Sequence, residues 1–478
     1  MTGAWALAAA VVATTVSPVG HTAVVDGSFG EWSDVAPLHT DAQGDGERLD
    51  LGRIWVASDH ERLTLSFEIG TDASLQGGNN LTLLLDTDGD TSTGLKAEGL
   101  GADLAWTFGE RSGTLAPGSD RTRIEQYDIG LLQAPTVSST RFEVSLLRRT
   151  PELGSVLPGP NIRLVLVDED GGDRLPDTGA VELELSEAEP APRPEVSLER
   201  RHPDDIRVLT YNVLFDGLFK RPAAFTRILK AVDPDIICFQ EIWSHTARQA
   251  ADQVSLAIPD AAWCGANTTE GHVVSRYPML EARAIDEAGN YWAVIDLPDD
   301  RYDTDIAVVS AHPPCCDKER ERQEQLDGIA AWLRERTSED RDADDGLVLP
   351  EGTPIVVAGD MNLVGGAGQL RTLLEGRIVY EDAFGPSHAA DWDGTPLADA
   401  DPRHAGGRLN FTWRDSRSSF APGKLDYIVY SDSVLELQNA FVLATEELDA
   451  ETLKRYGLRP GDTLEASDHL PVVADLRP

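Results

Sequence analysis

The sequence predicts an α+β chain of two domains: an all-β sandwich, then a domain in which strands alternate with helices. Three observations carry this. Residues 24–186 break into short alternating apolar stretches separated by Gly, Asp and Asn clusters. A proline-rich stretch follows, and from residue 205 short apolar runs alternate with longer amphipathic ones. At 478 residues the chain also exceeds what one ordinary core holds.

The elements follow in order. Residues 1–23 contain the apolar run Ala4 to Val16, then Ser17-Pro18 and small residues. This reads as a secretory signal peptide cleaved near Ala23, which implies a secreted or periplasmic protein without integral membrane association. No Lys or Arg precedes Arg48, so the usual positive flank is missing, and a mis-assigned start or a weak anchor stays open. In the 24–186 domain the expected strands are Leu51 to Ala57, Leu63 to Ile69, Leu81 to Leu85, Ala102 to Phe108, Arg141 to Leu147, Ile162 to Val167 and Val181 to Leu185. Residues 187–204 form the linker, where Pro190, Pro192 and Pro194 alternate and favour an extended chain.

In the 205–478 domain the expected strands are Ile206 to Tyr211, Ile236 to Phe239, Ile306 to Ala311, Ile355 to Ala358, Tyr427 to Tyr430 and Pro471 to Asp475. Pro222 to Ala231, Thr246 to Leu256 and Lys318 to Arg336 are the expected helices. Leu326, Ile329, Ala330 and Leu333 mark the buried stripe of the third. The acidic stretch Ser338 to Asp345 reads as a solvated loop.

Charge narrows the partners. There are 82 acidic against 41 basic residues, a net charge of −41. Duplex nucleic acid is normally held by Lys and Arg neutralising phosphates, so this surface disfavours it. The four cysteines, Cys238, Cys264, Cys315 and Cys316, are too few for a disulfide scaffold and contain no Cys-x-x-Cys pair. One bridge from Cys264 to Cys315 or Cys316 is the expectation for an exported chain. Cys238, inside an apolar run, reads as buried and inert.

The chemistry gathers at strand ends. Asn212, Glu241, His312, Asp360 with Asn362, Asp426, and Asp468 with His469 each stand beside an apolar run of the second domain. Any one of these would ordinarily be a turn or a cap. Together they suit phosphoryl transfer. A hard cation, Mg²⁺ or Mn²⁺, takes oxygen ligands, which Asn212, Glu241 and Asp468 can supply. His312 could donate to a phosphate oxygen, Asp360 held by Asn362 could handle the attacking water, and Asp426 could pair with His469.

Thr210-Tyr-Asn-Val213, Phe239-Gln-Glu241, Val274-Ser-Arg-Tyr-Pro278, Ser310-Ala-His312, Gly359-Asp-Met-Asn362, Leu425-Asp-Tyr-Ile428 and Ser467-Asp-His-Leu-Pro471 resemble, in order, the motifs of the endonuclease/exonuclease/phosphatase family. The resemblance implies a four-layer α/β/β/α sandwich over 205–478 and divalent-metal-dependent cleavage of a phosphoester. By similarity Glu241 is the principal metal ligand, with Asn212 and Asp468 near it, and His312, Asp360, Asn362, Asp426 and His469 are catalytic. The family spans nucleases, deadenylases, inositol-phosphate phosphatases and sphingomyelinases. The substrate therefore stays open between nucleic acid, lipid and small molecule. Pro313-Pro-Cys-Cys316 directly after His312 departs from the common pattern. Trp392 and Trp413 could line a pocket or simply pack.

In the first domain, Val25-Asp-Gly-Ser-Phe-Gly-Glu-Trp32, Leu85-Asp-Thr-Asp-Gly-Asp-Thr-Ser-Thr-Gly94 and Gly101-Ala-Asp-Leu104 resemble family 9 carbohydrate-binding and DOMON-like β-sandwich modules, which implies a glycan ligand. Asp86, Asp88 and Asp90 have the early spacing of a Ca²⁺ loop without its closing Glu. An acidic hairpin turn and a Ca²⁺ site of another type using Asp103 are both open. Trp32, Trp55 and Trp106 are either a sugar-stacking platform or core. The competing function class is a non-catalytic binding protein carrying an inactive phosphoesterase-like domain, against which the intact strand-end set argues.

Overall fold

The computed structural model describes residues 23–190, 196–337 and 349–478. The expected signal peptide, the middle of the linker and the acidic loop after Thr337 lie outside the described residues. The chain divides into two compact units, one built mainly from residues 23–133 and 139–190, the other mainly from 196–417 and 422–478.

The first unit is a sandwich. One sheet has the order His39–Thr40, Arg53–Ser58, Arg62–Ala73, Ser139–Leu147, Leu132–Ala134. The other runs Arg174–Leu175, Asn161–Asp168, Leu81–Asp86, Leu104–Thr107, Ser112–Leu115, Thr122–Ile124, with Val181–Glu184 also on Asn161–Asp168. Alternation sets the core between them: Leu63, Leu65 and Phe67 face inward with Phe142, Val144 and Leu146, against Leu83, Leu85, Leu104, Trp106, Leu164 and Leu166. The outward residues of the first sheet, Trp55 and Ala57, are covered by Trp32, Phe29 and Val35 from the preceding segment. Trp32, Trp55 and Trp106 are therefore buried in two separate clusters and form no sugar-stacking face. Their large apolar area is better removed from water than left exposed.

The second unit is a four-layer sandwich. Its strands are β1 (Ile206–Asn212), β2 (Ile236–Gln240), β3 (Cys264–Asn267), β4 (His272–Ser275), β5 (Met279–Ala284), β6 (Tyr291–Ile295), β7 (Ile306–Ala311), β8 (Ile355–Asp360), β9 (Ala398–Asp399), β10 (Arg403–His404), β11 (Asp426–Tyr430), β12 (Glu436–Val442) and β13 (Val472–Arg477). They make two mixed sheets, ordered β3-β4-β2-β1-β13-β12-β10 and β5-β6-β7-β8-β11-β9. Three helices matter most: α1 (Pro222–Val232), α2 (Ala247–Ala257) and α3 (Glu319–Thr337). Pro222 at the first turn starts α1, and a Thr246–Gln249 capping box starts α2.

Residue parity separates the layers. Ile206, Val208, Ile236 and Cys238 of the first sheet meet Ile306, Val308, Val356, Ala358 and Ile428 of the second between the sheets. Leu209, Tyr211, Ile237 and Phe239 face outward to Phe225, Ile228 and Val254 of α1 and α2. Ala307, Val309, Ile355 and Val357 face outward to Leu326, Ile329 and Leu333 of α3. Cys238 lies in the inter-sheet core, where burial pushes its thiol up to about 12.

The disulfide expectation is corrected. Cys315 and Cys316 bridge each other, and Cys264 is free. The reason is placement: Cys264 opens β3 at the edge of the first sheet, whereas Cys315 and Cys316 follow β7 of the second. Trp392 packs under the second sheet and donates to Thr353 O, so it is a packing residue.

Candidate active site

The parity that builds the inter-sheet core also places the polar strand ends. Asn212, His312, Asp360 and Asp426 continue the even-numbered, inward-facing positions of β1, β7, β8 and β11. The pairs β1/β2 and β7/β8 are parallel, while β11 and β13 run antiparallel to β8 and β1. The C-terminal ends of the first four therefore share an edge with the starts of the last two. Glu241 sits one residue past β2, out of phase, and enters the site through a left-handed turn with φ +64°.

One hydrogen-bonded chain runs through this edge. Asn212 Nδ2 donates to Glu241 Oε1 at 3.1 Å and to Asp360 Oδ2 at 3.0 Å. Two imidazoles face Asp360 Oδ2, His312 Nε2 at 3.4 Å and His469 Nε2 at 3.5 Å. Behind them, His469 Nδ1 lies 2.8 Å from Asp426 Oδ2, and His312 Nδ1 lies 3.0 Å from Glu270 Oε1. Thr412 Oγ1 accepts from the backbone N–H groups of Leu425 and Asp426 and fixes the start of β11.

Charge states follow from these contacts. Burial opposes charge on His312, but hydrogen bonds to Asp360 and Glu270 overturn it and hold the imidazolium well above its ordinary range. Burial likewise opposes charge on His469, and the fields of Asp426 and Asp360 raise it to about 10. Burial would raise Asp360, yet the two imidazoles and Asn212 hold it below the usual carboxylate range. Burial raises Asp426 to about 6, with His469 pulling the other way. Near neutral pH the centre is therefore a buried Asp360 carboxylate flanked by two imidazolium rings.

The remaining predicted residues sit as follows. Asn362 donates its backbone N–H to Asp360 Oδ1 at 3.1 Å, while its side-chain amide holds Pro313 O at 3.0 Å. Asp468 Oδ2 accepts from Trp413 Nε1 at 3.2 Å, which places Trp413 at the site, and Ser467 Oγ donates to Asn212 O at 2.8 Å. Asn212 turns its Oδ1 to Leu214 N–H, so in this orientation its NH₂ braces the carboxylates. Asp360, Asp426 and His469 each bring a donor atom within 4.8 Å of the others, but both ring nitrogens of His469 already face carboxylates. Glu241 and Asp468, both partly exposed, carry oxygen donors of the type a hard divalent cation takes. In the first unit Asp86, Asp88 and Asp103 gather, whereas Asp90 turns to Ser92 N–H.

Two residues escaped the sequence analysis. Glu270 receives the Glu241 N–H at 2.6 Å and holds His312, so it links the two sides of the site. Asn290 Oδ1 accepts from His312 N–H at 3.1 Å. Both lie just before inner strands, β4 and β6, which is the one signal that could have found them.

The profile of the Endonuclease/Exonuclease/phosphatase family matches residues 209–469, more than half of the chain. The chain belongs to that family. It is a hydrolase acting on phosphoester bonds. Among solved structures it is similar to the human Nocturnin catalytic domain with bound sulfate, at 16% identity and a TM-score of 0.36, covering 57% of this chain and 94% of that one. It is similar to a mannosyl-6-phosphatase from Bacteroides thetaiotaomicron, at 16% identity and TM-score 0.35, over 57% and 99%. It is also similar to an AP endonuclease from Archaeoglobus fulgidus, at 14% identity and TM-score 0.36, over 56% and 98%. No curated protein matches it. No helix among the described residues is long and apolar enough to cross a membrane.

Proposed function

We propose that the second unit hydrolyses a phosphodiester by attack of water on phosphorus, with a divalent metal and an Asp/His relay. The observation that carries this is the unbroken chain Glu241–Asn212–Asp360 with His312 and His469 facing Asp360 from two further strand ends. Glu241 and Asp468, with Asn212 beside them, are the residues that would hold Mg²⁺ or Mn²⁺. The ion would supply positive charge to the phosphate oxygens.

The protein's own groups divide the remaining work. Asp360, kept ionised, orients the attacking water and accepts its proton as the new O–P bond forms. The His312 imidazolium donates to a non-bridging phosphate oxygen whose charge rises toward the transition state. Asp426 fixes the ring of His469 and keeps it charged, so that His469, which faces the same Asp360 oxygen, adds positive charge beside the attacking water as the new O–P bond forms. The departing ester oxygen leaves with the electron pair of the broken P–O bond and takes its proton from solvent. Asn362 secures Asp360 and, through Pro313, the loop that carries His312.

The substrate fits a small or lipid-linked phosphodiester better than duplex nucleic acid. The net charge of −41 repels a polyanion. Phe215 and Trp243 are 61% and 55% exposed; Trp243 follows Glu241 closely in sequence, and Phe215 N–H donates to Glu241 Oε2. They offer an apolar rim for a non-phosphate group. The run Ala4 to Val16 has the pattern of an export signal, and an exported enzyme would meet such a substrate outside the cytoplasm.

The test is a panel of bis(4-nitrophenyl) phosphate, sphingomyelin, inositol phosphates, RNA and plasmid DNA, run with Mg²⁺ and with chelator. The expected result is chelator-sensitive release from a phosphodiester that Glu241→Gln removes. Turnover untouched by chelator, or by Glu241→Gln, overturns the proposal, and preference for plasmid DNA overturns its substrate half.

A further inference from the structure

We propose that Asp86, Asp88 and Asp103 of the β-sandwich form a calcium site that pins the acidic turn after Leu81–Asp86 to the neighbouring strand. The proposal is independent of the hydrolytic site. One carboxylate oxygen from each of the three lies within 4.8 Å of the others. Asp86 ends its strand, Asp88 follows in the turn, and Asp103 stands one residue before Leu104–Thr107. Antiparallel pairing, with Leu85 opposite Leu104, brings Asp103 to the turn.

The second observation concerns Asp103 alone. It is 4% exposed, its Oδ2 already accepts from Thr87 N–H and Thr87 Oγ1, and its buried Oδ1 has no hydrogen-bond partner among the described residues. A buried carboxylate oxygen left without a donor is costly, and native proteins rarely tolerate one without an ion or water. Donors of the turn are already committed to other oxygens. Gly89 N–H is taken by Asp86 Oδ1, Asp90 N–H by Asp88 Oδ1 and Thr93 Oγ1 by Asp88 Oδ2.

Charge points the same way. Among the described residues, Arg163 is the cation at ion-pair distance, 3.3 Å from Asp86 Oδ2, and it also leans toward Glu182 at 3.9 Å. Asp88 and the buried Asp103 have no cation at ion-pair distance among the described residues, and the ammonium of Lys96 is spent on the Thr91 and Thr93 carbonyls. All three donors are hard oxygens, with neither imidazole nor thiolate, which suits Ca²⁺ and excludes a soft-metal site. Ca²⁺ fits better than Mg²⁺, because it accepts an irregular mixture of carboxylates, turn carbonyls and water.

The experiment uses the full chain freed of metal by chelator and dialysed. CaCl₂ is titrated by calorimetry and by thermal unfolding, with MgCl₂ in parallel. The expected result is saturable Ca²⁺ binding that raises the melting temperature by several degrees and, in the Glu241→Gln background where the hydrolytic site no longer takes the ion, a much smaller response to Mg²⁺. Asp103→Asn should weaken Ca²⁺ at least tenfold while leaving Mg²⁺-supported hydrolysis unchanged. Because a buried variant can fail to fold, the exposed Asp88→Asn should show the same loss. Glu241→Gln should keep the Ca²⁺ response, separating this site from the hydrolytic one. Absence of Ca²⁺ binding, an equal response to Mg²⁺ in the Glu241→Gln background, or wild-type affinity in Asp88→Asn overturns the proposal.

Discussion

The side-chain amide of Asn212 donates to Asp360 Oδ2 at 3.0 Å, joining the ends of two strands that belong to different sheets. The same NH₂ reaches Glu241, so two carboxylates are held by one neutral donor. Asn212→Asp keeps the shape, removes both donors and adds a third negative charge. The expected outcome is a loss of kcat of at least about 10²-fold, the scale set by removing one preorganised donor from a catalytic site. It should come with destabilisation of about 1–3 kcal/mol from a buried group left unpaired. Steady-state kinetics beside urea unfolding checks both, and wild-type kcat would remove Asn212 from the site.

Glu270 positions His312 and should be visible in the pH profile. Its carboxylate lies 3.0 Å from His312 Nδ1 and helps hold that ring charged. If the imidazolium is the active form, activity falls as pH rises through the His312 pKa. Glu270→Gln removes the negative charge and lowers that pKa, so the alkaline limb should move to lower pH while the acidic limb stays. A uniform fall in kcat at every pH would mean that Glu270 matters only for the backbone of Glu241.

Much of this was readable in the chain, for physical reasons. β1, β2, β7 and β8 are short apolar runs buried on both faces, so their ends, and the polar residues there, stand out. β5 and β12 were invisible because their side chains are half exposed and mixed, Met279–Ala284 and Glu436–Val442 carrying little apolar alternation. Glu270 precedes β4, a short strand that the apolar pattern did not mark, and it reaches His312 only once the sheets are stacked. Asp103 displaced Asp90 from the acidic cluster for a similar reason: spacing along the chain suggested Asp90, but strand register brings Asp103. That Cys264 stays free while Cys315 and Cys316 pair follows from the different sheets that carry them, and that is not a local property.

Glu143 should make the stability of the sandwich unit depend on pH. It is fully buried and accepts from Trp32 Nε1 at 2.6 Å and from the Asp26 and Gly27 N–H groups. Burial still raises its carboxyl from 4.5 to about 8. A folded-state pKa raised above the unfolded one gives stability that is complete below the unfolded value and lost as pH climbs through the folded value. Relative to Glu143→Gln, wild type should therefore lose melting temperature steadily between about pH 4.5 and pH 8 and level off above. A difference that stays flat across that window would show Glu143 to be ionised in the fold.

Arg207 and Asp475 offer a test of the four-layer packing itself. They lie directly opposite each other on β1 and β13, with Arg207 Nε 2.6 Å from Asp475 Oδ1 and Nη2 2.8 Å from Oδ2. Both are buried on the outward face of the first sheet, where Arg207 Nη1 also donates to Leu198 O and Val232 O. Arg207→Met alone strands a buried carboxylate and should cost about 3–5 kcal/mol. Removing the carboxylate as well, in Arg207→Met/Asp475→Leu, should recover part of that loss, leaving the two carbonyls as the residual cost. Chemical denaturation of the two single variants and the double completes a thermodynamic cycle. A double variant as unstable as the sum of the singles would mean that the ion pair is not buried as the structure has it.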